Sequence, residues 1–167
     1  MRGETIMETK QAGGVRHVPA GEGQSIWIVG DTHTLKAVGE DTNGAYMLLE
    51  VSVSPQAGPP PHIHHREDEF YYVLEGELEI LDGERTFIAS AGSYVYIPRG
   101  TLHRFKNVGE VPAKMLVFFT PAGMEGFFLE VGVPAQEGGT APPLGPEEIE
   151  RTLAAAPKYG MEFPLPL

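Results

Sequence analysis

Many short segments of this chain either alternate apolar and polar residues with a period of two or are apolar along most of their length. The clearest of them lie at residues 25–29, 32–38, 45–53, 69–75, 77–81, 86–89, 93–97 and 113–120. Successive side chains of a strand point to opposite faces, so this pattern predicts strands with one face turned toward a core. Turn signals such as Asn43-Gly44 and Asp82-Gly83 separate the segments. Short strands joined by such turns are typical of an all-β domain.

The alternation also predicts which side chains face the interior. Tyr71 and Val73 share the parity of Glu69, and Lys114 is expected to point outward, which turns the residues next to it inward. An apolar interior with a few polar groups is the usual make-up of a small-molecule site. The lining that we predict for such a pocket is Met47, Leu49, Tyr71, Val73, Phe105, Met115, Val117 and Phe119.

After Pro121 the spacing of apolar residues changes from strand-like to helical. Phe127, Phe128 and Val131 predict a short helix, and Pro146 followed by two glutamates predicts the start of a second one. Residues 132–143, rich in Gly and Pro, are interpreted as a linker. We therefore divide the chain into an N-terminal arm (residues 1–23), a β-barrel core (24–121) and a C-terminal helical extension that packs on the barrel (122–167).

Four residues of the central segment carry the candidate chemistry. His62 and His64 are two apart, so both imidazoles point to the same face of a strand. Glu69 can return to that face at the start of the next strand, and His103 follows a Pro-Arg-Gly turn. Three imidazoles and one carboxylate that converge on a point can hold a divalent transition metal. The alternative is a metal-free polar network that lines the pocket.

The remaining histidines are assigned no role in this site. His65 follows His64 directly and would face outward on a strand. His17, His33 and His65 are all interpreted as surface residues or as satisfied residues of the core.

The spacing of these residues resembles the two motifs of the cupin superfamily. The chain fits H-x-H-x4-E-x6-G of the first motif and all of the second, G-x5-P-x-G-x2-H-x3-N. The matching residues are His62, His64, Glu69 and Gly76, then Gly92, Pro98, Gly100, His103 and Asn107. Gly58 departs from the pattern, because it stands three residues before the H-x-H instead of five. This departure concerns the shape of the leading loop and leaves the four ligands in place.

The resemblance implies a double-stranded β-helix, which is a jelly-roll barrel, with one or two short C-terminal helices. Within the superfamily the chain looks most like bacterial quercetinase-like dioxygenases, through PPPHIHHREDEFYYVLEGEL and FTPAGMEGFF. That likeness implies a metal that binds a flavonol or similar enol for reaction with O2. Glu69 would then be both a ligand and the catalytic general base.

Two other functions remain open at this stage. A metal-assisted isomerase or decarboxylase acting on a sugar or keto acid is one, although such pockets use Lys or Arg to bind phosphate or carboxylate. The inward-facing positions assigned above carry no cation. A non-enzymatic cupin that binds a small molecule is the other.

Composition limits the partners and the cofactor. The net charge of −11 argues against nucleic acid, and no apolar run approaches the 18 residues of a membrane span. Without cysteine, no thiolate biases the choice among Fe, Mn, Ni, Co, Cu and Zn.

Location and assembly are expectations of the same kind. The first residues lack the apolar stretch of a secretory signal, so we expect a cytoplasmic protein. We also expect a homodimer, in which a partner covers the sheet edge at residues 25–29 and the apolar tail at residues 163–167.

Overall fold

The computed structural model describes residues 13–167, so the first half of the predicted N-terminal arm lies outside the described residues. The strands are β1 Gln24–Ile28, β2 Asp31–Ala37, β3 Met47–Val53, β4 Ile63–His64, β5 Asp68–Glu75, β6 Glu77–Asp82, β7 Arg85–Ser90, β8 Tyr94–Ile97, β9 His103–Lys106, β10 Ala113–Thr120, β11 Val133–Pro134 and β12 Met161–Glu162. Helix α1 spans Glu125–Val131, helix α2 spans Pro146–Ala155, and a 3-10 turn covers Ala156–Tyr159.

The strands form antiparallel sheets around one apolar core. The largest sheet has the order β11-β1-β2-β3-β10-β5-β8, a second has the order β7-β6-β9, and β4 pairs with β12. Buried residues of the first two sheets belong to one cluster, and the Tyr71 and Phe105 rings meet edge to face with centroids 5.7 Å apart. The predicted all-β fold with two C-terminal helices is confirmed.

Side chains alternate strictly between core and surface along the central strands, as the sequence pattern predicts. In β10 the buried residues are Ala113, Met115, Val117 and Phe119, and Lys114 is only partly buried. Val117 lies between Leu49 of β3 and Tyr71 of β5 in the sheet register. Each large apolar side chain buried in this way stabilises the fold by roughly 1.5–3 kcal/mol.

The C-terminal extension is fastened to the barrel by polar as well as apolar contacts. Helix α1 buries Phe127, Phe128 and Val131. Helix α2 begins with Pro146, whose missing N–H costs nothing in a first turn. Its Glu148 carboxylate accepts a hydrogen bond from the backbone N–H of Val29 at 2.6 Å. The position of α2 over the barrel is therefore fixed at its N-terminal end.

The predicted linker at residues 132–143 contains a strand that the sequence did not reveal. Val133 pairs with Trp27 and Pro134 with Ile26, so β11 covers part of the free edge of β1. This is the edge that the sequence analysis assigned to a dimer partner. The opposite end of the large sheet, β8, has no further strand beside it among residues 13–167, and its Tyr94 and Tyr96 are exposed. None of the described helices is long and apolar enough to cross a bilayer.

The buried Asp31 carboxyl predicts a pH-dependent stability. One oxygen accepts the N–H of Ser54 at 2.9 Å, and the other has no partner. Burial raises its pKa from 3.8 to about 8, helped by the nearby Glu148 carboxylate and opposed by the Ser54 hydrogen bond. Between these values the unfolded chain ionises Asp31 while the folded chain keeps it protonated, so its contribution to stability is present below pH 4 and falls as the pH rises.

Replacing Asp31 with Asn should therefore raise stability relative to wild type progressively as the pH rises from about 4 to about 8. The expected gain near pH 8 is of the order of a few kcal/mol, because one pKa unit corresponds to about 1.4 kcal/mol. Urea unfolding at both ends of this range measures it. Asp82→Asn, at an exposed carboxylate paired with Arg85, is the matched control and should show no such trend. An equal effect of Asp31→Asn at both pH values contradicts the prediction.

The homodimer stays a prediction, with light scattering as its test. At micromolar concentration we expect twice the 18.1 kDa of the chain. A stable species of one chain mass would contradict it, and the partial cover of β1 by β11 would then explain why no partner is needed.

Candidate metal centre

The structure brings His62, His64, Glu69 and His103 together in the barrel. One potential ligand atom from each of them lies within 4.8 Å of all the others. The four side chains are almost completely buried, with exposed fractions of 1–4%. Every ligand position that the sequence analysis named is part of this cluster.

Backbone pairing between the two motif segments sets the positions of the histidines. The N–H of His62 donates to the carbonyl of His103, and the N–H of His103 donates to the carbonyl of His62, both at 3.0 Å. The carbonyl of His64 accepts from the N–H of Gly100 at 2.8 Å. The first motif is thus attached to the turn and the strand of the second.

Glu69 reaches the same point from the large sheet. It stands near the start of β5, paired with Ile97 of β8 and Phe119 of β10. Its parity matches that of the buried Tyr71 and Val73, so the carboxylate points into the barrel. The sheet therefore supplies the anionic ligand and the motif segments supply the imidazoles.

Hydrogen bonds to backbone carbonyls orient two of the imidazole rings. Nδ1 of His62 lies 2.8 Å from the carbonyl oxygen of Pro60, and Nδ1 of His103 lies 2.9 Å from that of Thr101. A ring that donates its Nδ1–H outward presents Nε2 to a metal, which is the usual arrangement of ligating histidines. Nε2 of His103 and of His64 lie 2.6 Å and 3.5 Å from the same Glu69 oxygen, Oε2. The donor set and its orientation fit one divalent transition metal.

The protonation of the histidines is set by burial and by Glu69. The pKa of His62 is lowered to about 3, mainly by burial and also by the neighbouring His103, against the opposing effect of the hydrogen bond to Pro60. Burial and the adjacent histidines hold the pKa of His64 well below its ordinary value. For His103 burial acts in the same direction, but the Glu69 carboxylate outweighs it and raises the pKa. The rings of His62 and His64 are therefore neutral, as metal binding requires, while the Glu69 carboxylate favours the protonated form of His103.

The loop before the first motif touches the second motif closely. A Cβ on Gly58, which has φ +149°, would lie 2.2 Å from the carbonyl oxygen of Phe105, so only glycine fits. Asn107 holds the same region, because its side-chain amide donates to the carbonyls of Val53 and Val111. Gly58 therefore has a packing role here, although it stands closer to the H-x-H than the family motif places its glycine.

A largely apolar cavity opens beside this centre, and it includes half of the predicted pocket residues. Leu49, Phe105, Val117 and Phe119 line it together with His62, His64 and Glu69. The other half of the prediction needs correction. The residues that are fully buried in the core without lining the cavity are Met47, Tyr71, Val73 and Met115. Strand parity separates inside from outside, but it does not say which inward side chains reach a cavity.

Part of the cavity wall comes from residues that the sequence analysis did not assign to it. They are contributed by β2, α1, α2 and the tail, namely His33, Phe128, Ile149, Thr152 and Phe163. His33 was interpreted as a satisfied residue, yet it is buried and neither ring nitrogen has a hydrogen-bond partner. Its parity with Leu35 and Ala37 was the signal that could have placed it inside. No comparable signal exists for α2 and the tail, whose positions depend on tertiary contacts.

Charge is scarce around the cavity. Among residues 13–167, the lining contains no lysine or arginine, and Glu69 is its acidic side chain. Arg99 pairs with Asp68, and Arg104 pairs with Glu79. These cations are thus engaged elsewhere.

Comparison with known proteins connects this geometry to a family. Residues 49–119, which include all four candidate ligands, match the Cupin_2 family, described as a cupin domain. Oxalate oxidase GF-3.8 of Triticum aestivum is 33% identical over 133 residues, which cover 75% of this chain and 57% of that protein. The alginate biosynthesis protein AlgA of Pseudomonas fluorescens is 29% identical over 76 residues, 46% of this chain and only 16% of that protein. The chain thus spans little more than half of the first relative and a small part of the second.

Among solved structures, a predicted oxalate decarboxylase from Thermotoga maritima superimposes with a TM-score of 0.60 at 21% identity. The match covers 64% of this chain and 99% of that one. At this identity the likeness concerns the fold. Taken with the sequence match of residues 49–119 to a cupin domain and the buried cluster of three histidines and one glutamate, it shows that this chain has the cupin fold.

Proposed function

We propose that this cupin is a metal-dependent dioxygenase that acts on a flat, largely apolar enol of the flavonol type. The observation that carries the proposal is the cavity itself: three histidines and a glutamate adjoin a wall of Phe105, Phe119 and other apolar side chains without a cationic group. An apolar pocket with a few placed polar groups suits a flat aromatic molecule.

His62, His64, Glu69 and His103 would hold the metal. A divalent transition metal bound there would supply Lewis acidity and a place for O2 to react. The protein's own contribution is to orient the substrate, to exclude water and to move one proton. Glu69 is the group placed to take the proton of the substrate's enol hydroxyl, because its carboxylate lies at the centre of the cluster and borders the cavity.

Oxidation or decarboxylation of a small acid is the second candidate, favoured by the likeness to oxalate oxidase GF-3.8. A bound metal would neutralise part of the charge of a dicarboxylate or keto acid of that kind, and the remaining polar oxygens need cationic or several hydrogen-bonding partners inside an apolar site. The lining offers no lysine or arginine among residues 13–167. The apolar enol therefore remains the preferred substrate class, and oxalate is the competing substrate to assay.

The metal assignment predicts about one transition metal ion per chain in protein purified without added metal. His62→Ala/His64→Ala should lose most of this metal, since two of four ligands are gone. Occupancy in wild type should also fall as the pH drops, because imidazole must be neutral to bind and His103, whose pKa is raised beside Glu69, protonates before His62 and His64. His65→Ala is the matched control, because His65 is exposed and pairs with Glu162 instead. Full occupancy in the double variant, measured by elemental analysis, would refute the assignment.

The role of Glu69 predicts a separation between metal content and turnover. Glu69→Gln keeps the shape and one acceptor oxygen but cannot take a proton, so the three histidines should retain most of the metal. Enol turnover, followed with an oxygen electrode, should fall by roughly 100-fold or more, the usual scale for a lost general base.

Three results would count against this interpretation of the site. Unchanged turnover in Glu69→Gln would exclude its role as the base. If wild type consumes no O2 with flavonols or simple enols but converts oxalate, the second candidate replaces the first. If no compound is converted and flavonols only bind, the chain is a binding cupin.

A further inference from the structure

Apart from Nδ1 of the candidate ligand His64, two polar side chains of the cavity lack the hydrogen bonds that buried polar groups normally make. His33 on β2 and Thr152 on α2 are each 4% exposed, and both line the cavity. Neither of the two ring nitrogens of His33 has a hydrogen-bond partner, and the Thr152 hydroxyl has none either. Burying such atoms unpaired destabilises a fold, and an apolar residue of similar size would avoid the cost. Their presence in the wall of an apolar cavity therefore points to a ligand.

The position of His33 separates it from the metal centre by a row of aromatic rings. The centroid of His33 lies 5.3 Å from that of Phe128, Phe128 lies 5.9 Å from Phe119, and Phe119 lies 5.1 Å from His64. Phe128 and Phe119 thus connect two polar parts of the cavity wall, with the candidate metal centre at one end of the row of rings and His33 at the other.

The chemistry of the second end favours an uncharged group. Burial lowers the pKa of His33 to about 3, so the ring is neutral and offers one N–H donor and one acceptor nitrogen. The Thr152 hydroxyl can also donate or accept. Glu69 is the ionisable acid of the described lining and belongs to the metal centre, and the lining contains no lysine or arginine. A hydroxyl group, which donates and accepts at once, matches this end better than a carboxylate or phosphate.

We propose that His33 and Thr152 form a distal specificity site, which binds a hydroxyl group on the end of the substrate remote from the metal centre. The inference rests on the proposed function, which identifies the part of the substrate that binds at the metal centre. It adds that the preferred enol carries a neutral polar substituent on its far ring.

The test uses two probes that differ only at the far ring: 3-hydroxyflavone, and its analogue with one hydroxyl at the para position of the phenyl substituent. Wild-type protein should bind the hydroxylated probe more tightly by about 10-fold or more, which is the scale of one well-placed hydrogen bond in a buried site. His33→Phe keeps an aromatic ring beside Phe128 and Thr152→Val keeps the side-chain shape. Each should remove most of this preference and leave the affinity for 3-hydroxyflavone nearly unchanged. Calorimetry on the purified proteins measures the affinity of each protein for each probe without depending on turnover.

Controls separate this role from general damage. His17→Phe, at an exposed histidine, should keep the wild-type preference. His33→Gln, which retains a donor and an acceptor, should restore part of the preference that His33→Phe loses. Because the removed groups have no partners in the fold, His33→Phe and Thr152→Val should melt at the wild-type temperature or above it.

The outcomes distinguish this inference from the proposed function. If wild type prefers the hydroxylated probe and this preference depends on His33, but neither probe is oxidised, then the dioxygenase reaction is wrong and the distal site stands. If both probes are oxidised but bind equally to wild type, the reaction stands and the distal site is refuted. Equal losses for both probes in His33→Phe, or no binding of either probe to wild type, would also refute it. Equal losses for both probes would assign His33 a packing role, in which buried water completes its hydrogen bonds.

Discussion

The candidate site depends on the reciprocal backbone pairing of His62 with His103. Their two N–H···O contacts, both at 3.0 Å, join segments that are far apart in the sequence and bring the two rings to a centroid separation of 4.4 Å. Hydrogen bonds of this kind contribute only about 0.5–1.5 kcal/mol each to stability. Their larger effect is geometric, because they fix two ligand-bearing backbones before any metal binds. Glu69 then needs only the correct parity on β5 to complete the group.

The same arrangement brings buried charge close together. A carboxylate at the centre of the cluster would be costly in an apolar barrel without a positive partner. His103 provides that partner, since its Nε2 lies 2.6 Å from Glu69 and its pKa is raised despite burial. His62 and His64 stay neutral because burial and neighbouring histidines lower their pKa values. A metal ion that binds these four residues would have to compete with a proton on His103, because a ligating imidazole must be neutral.

Much of this could be predicted from the sequence, and what could not has a common cause. Alternation of side chains predicted the main strands and the inward direction of Tyr71, and motif spacing predicted all four ligands, because both depend on local backbone geometry. Strand β11, the contribution of α2 to the cavity and the burial of Met47 outside its lining depend on contacts between distant segments. His33 is intermediate: its parity indicated the interior, but only the packed structure shows that its ring has no hydrogen-bond partner.

The segment that matches the cupin domain and the segments that flank it contribute different parts of the site. Residues 49–119, which match the cupin domain, contain the whole set of candidate ligands. His33, Phe128, Thr152 and Phe163, which shape the cavity, lie outside that segment. A cupin domain can therefore keep one metal-binding geometry while the flanking strand, the helices and the tail alter the cavity beside it. Function resides in the site and not in the fold, and residues that the cupin motifs do not include form much of the cavity wall beside the candidate metal centre.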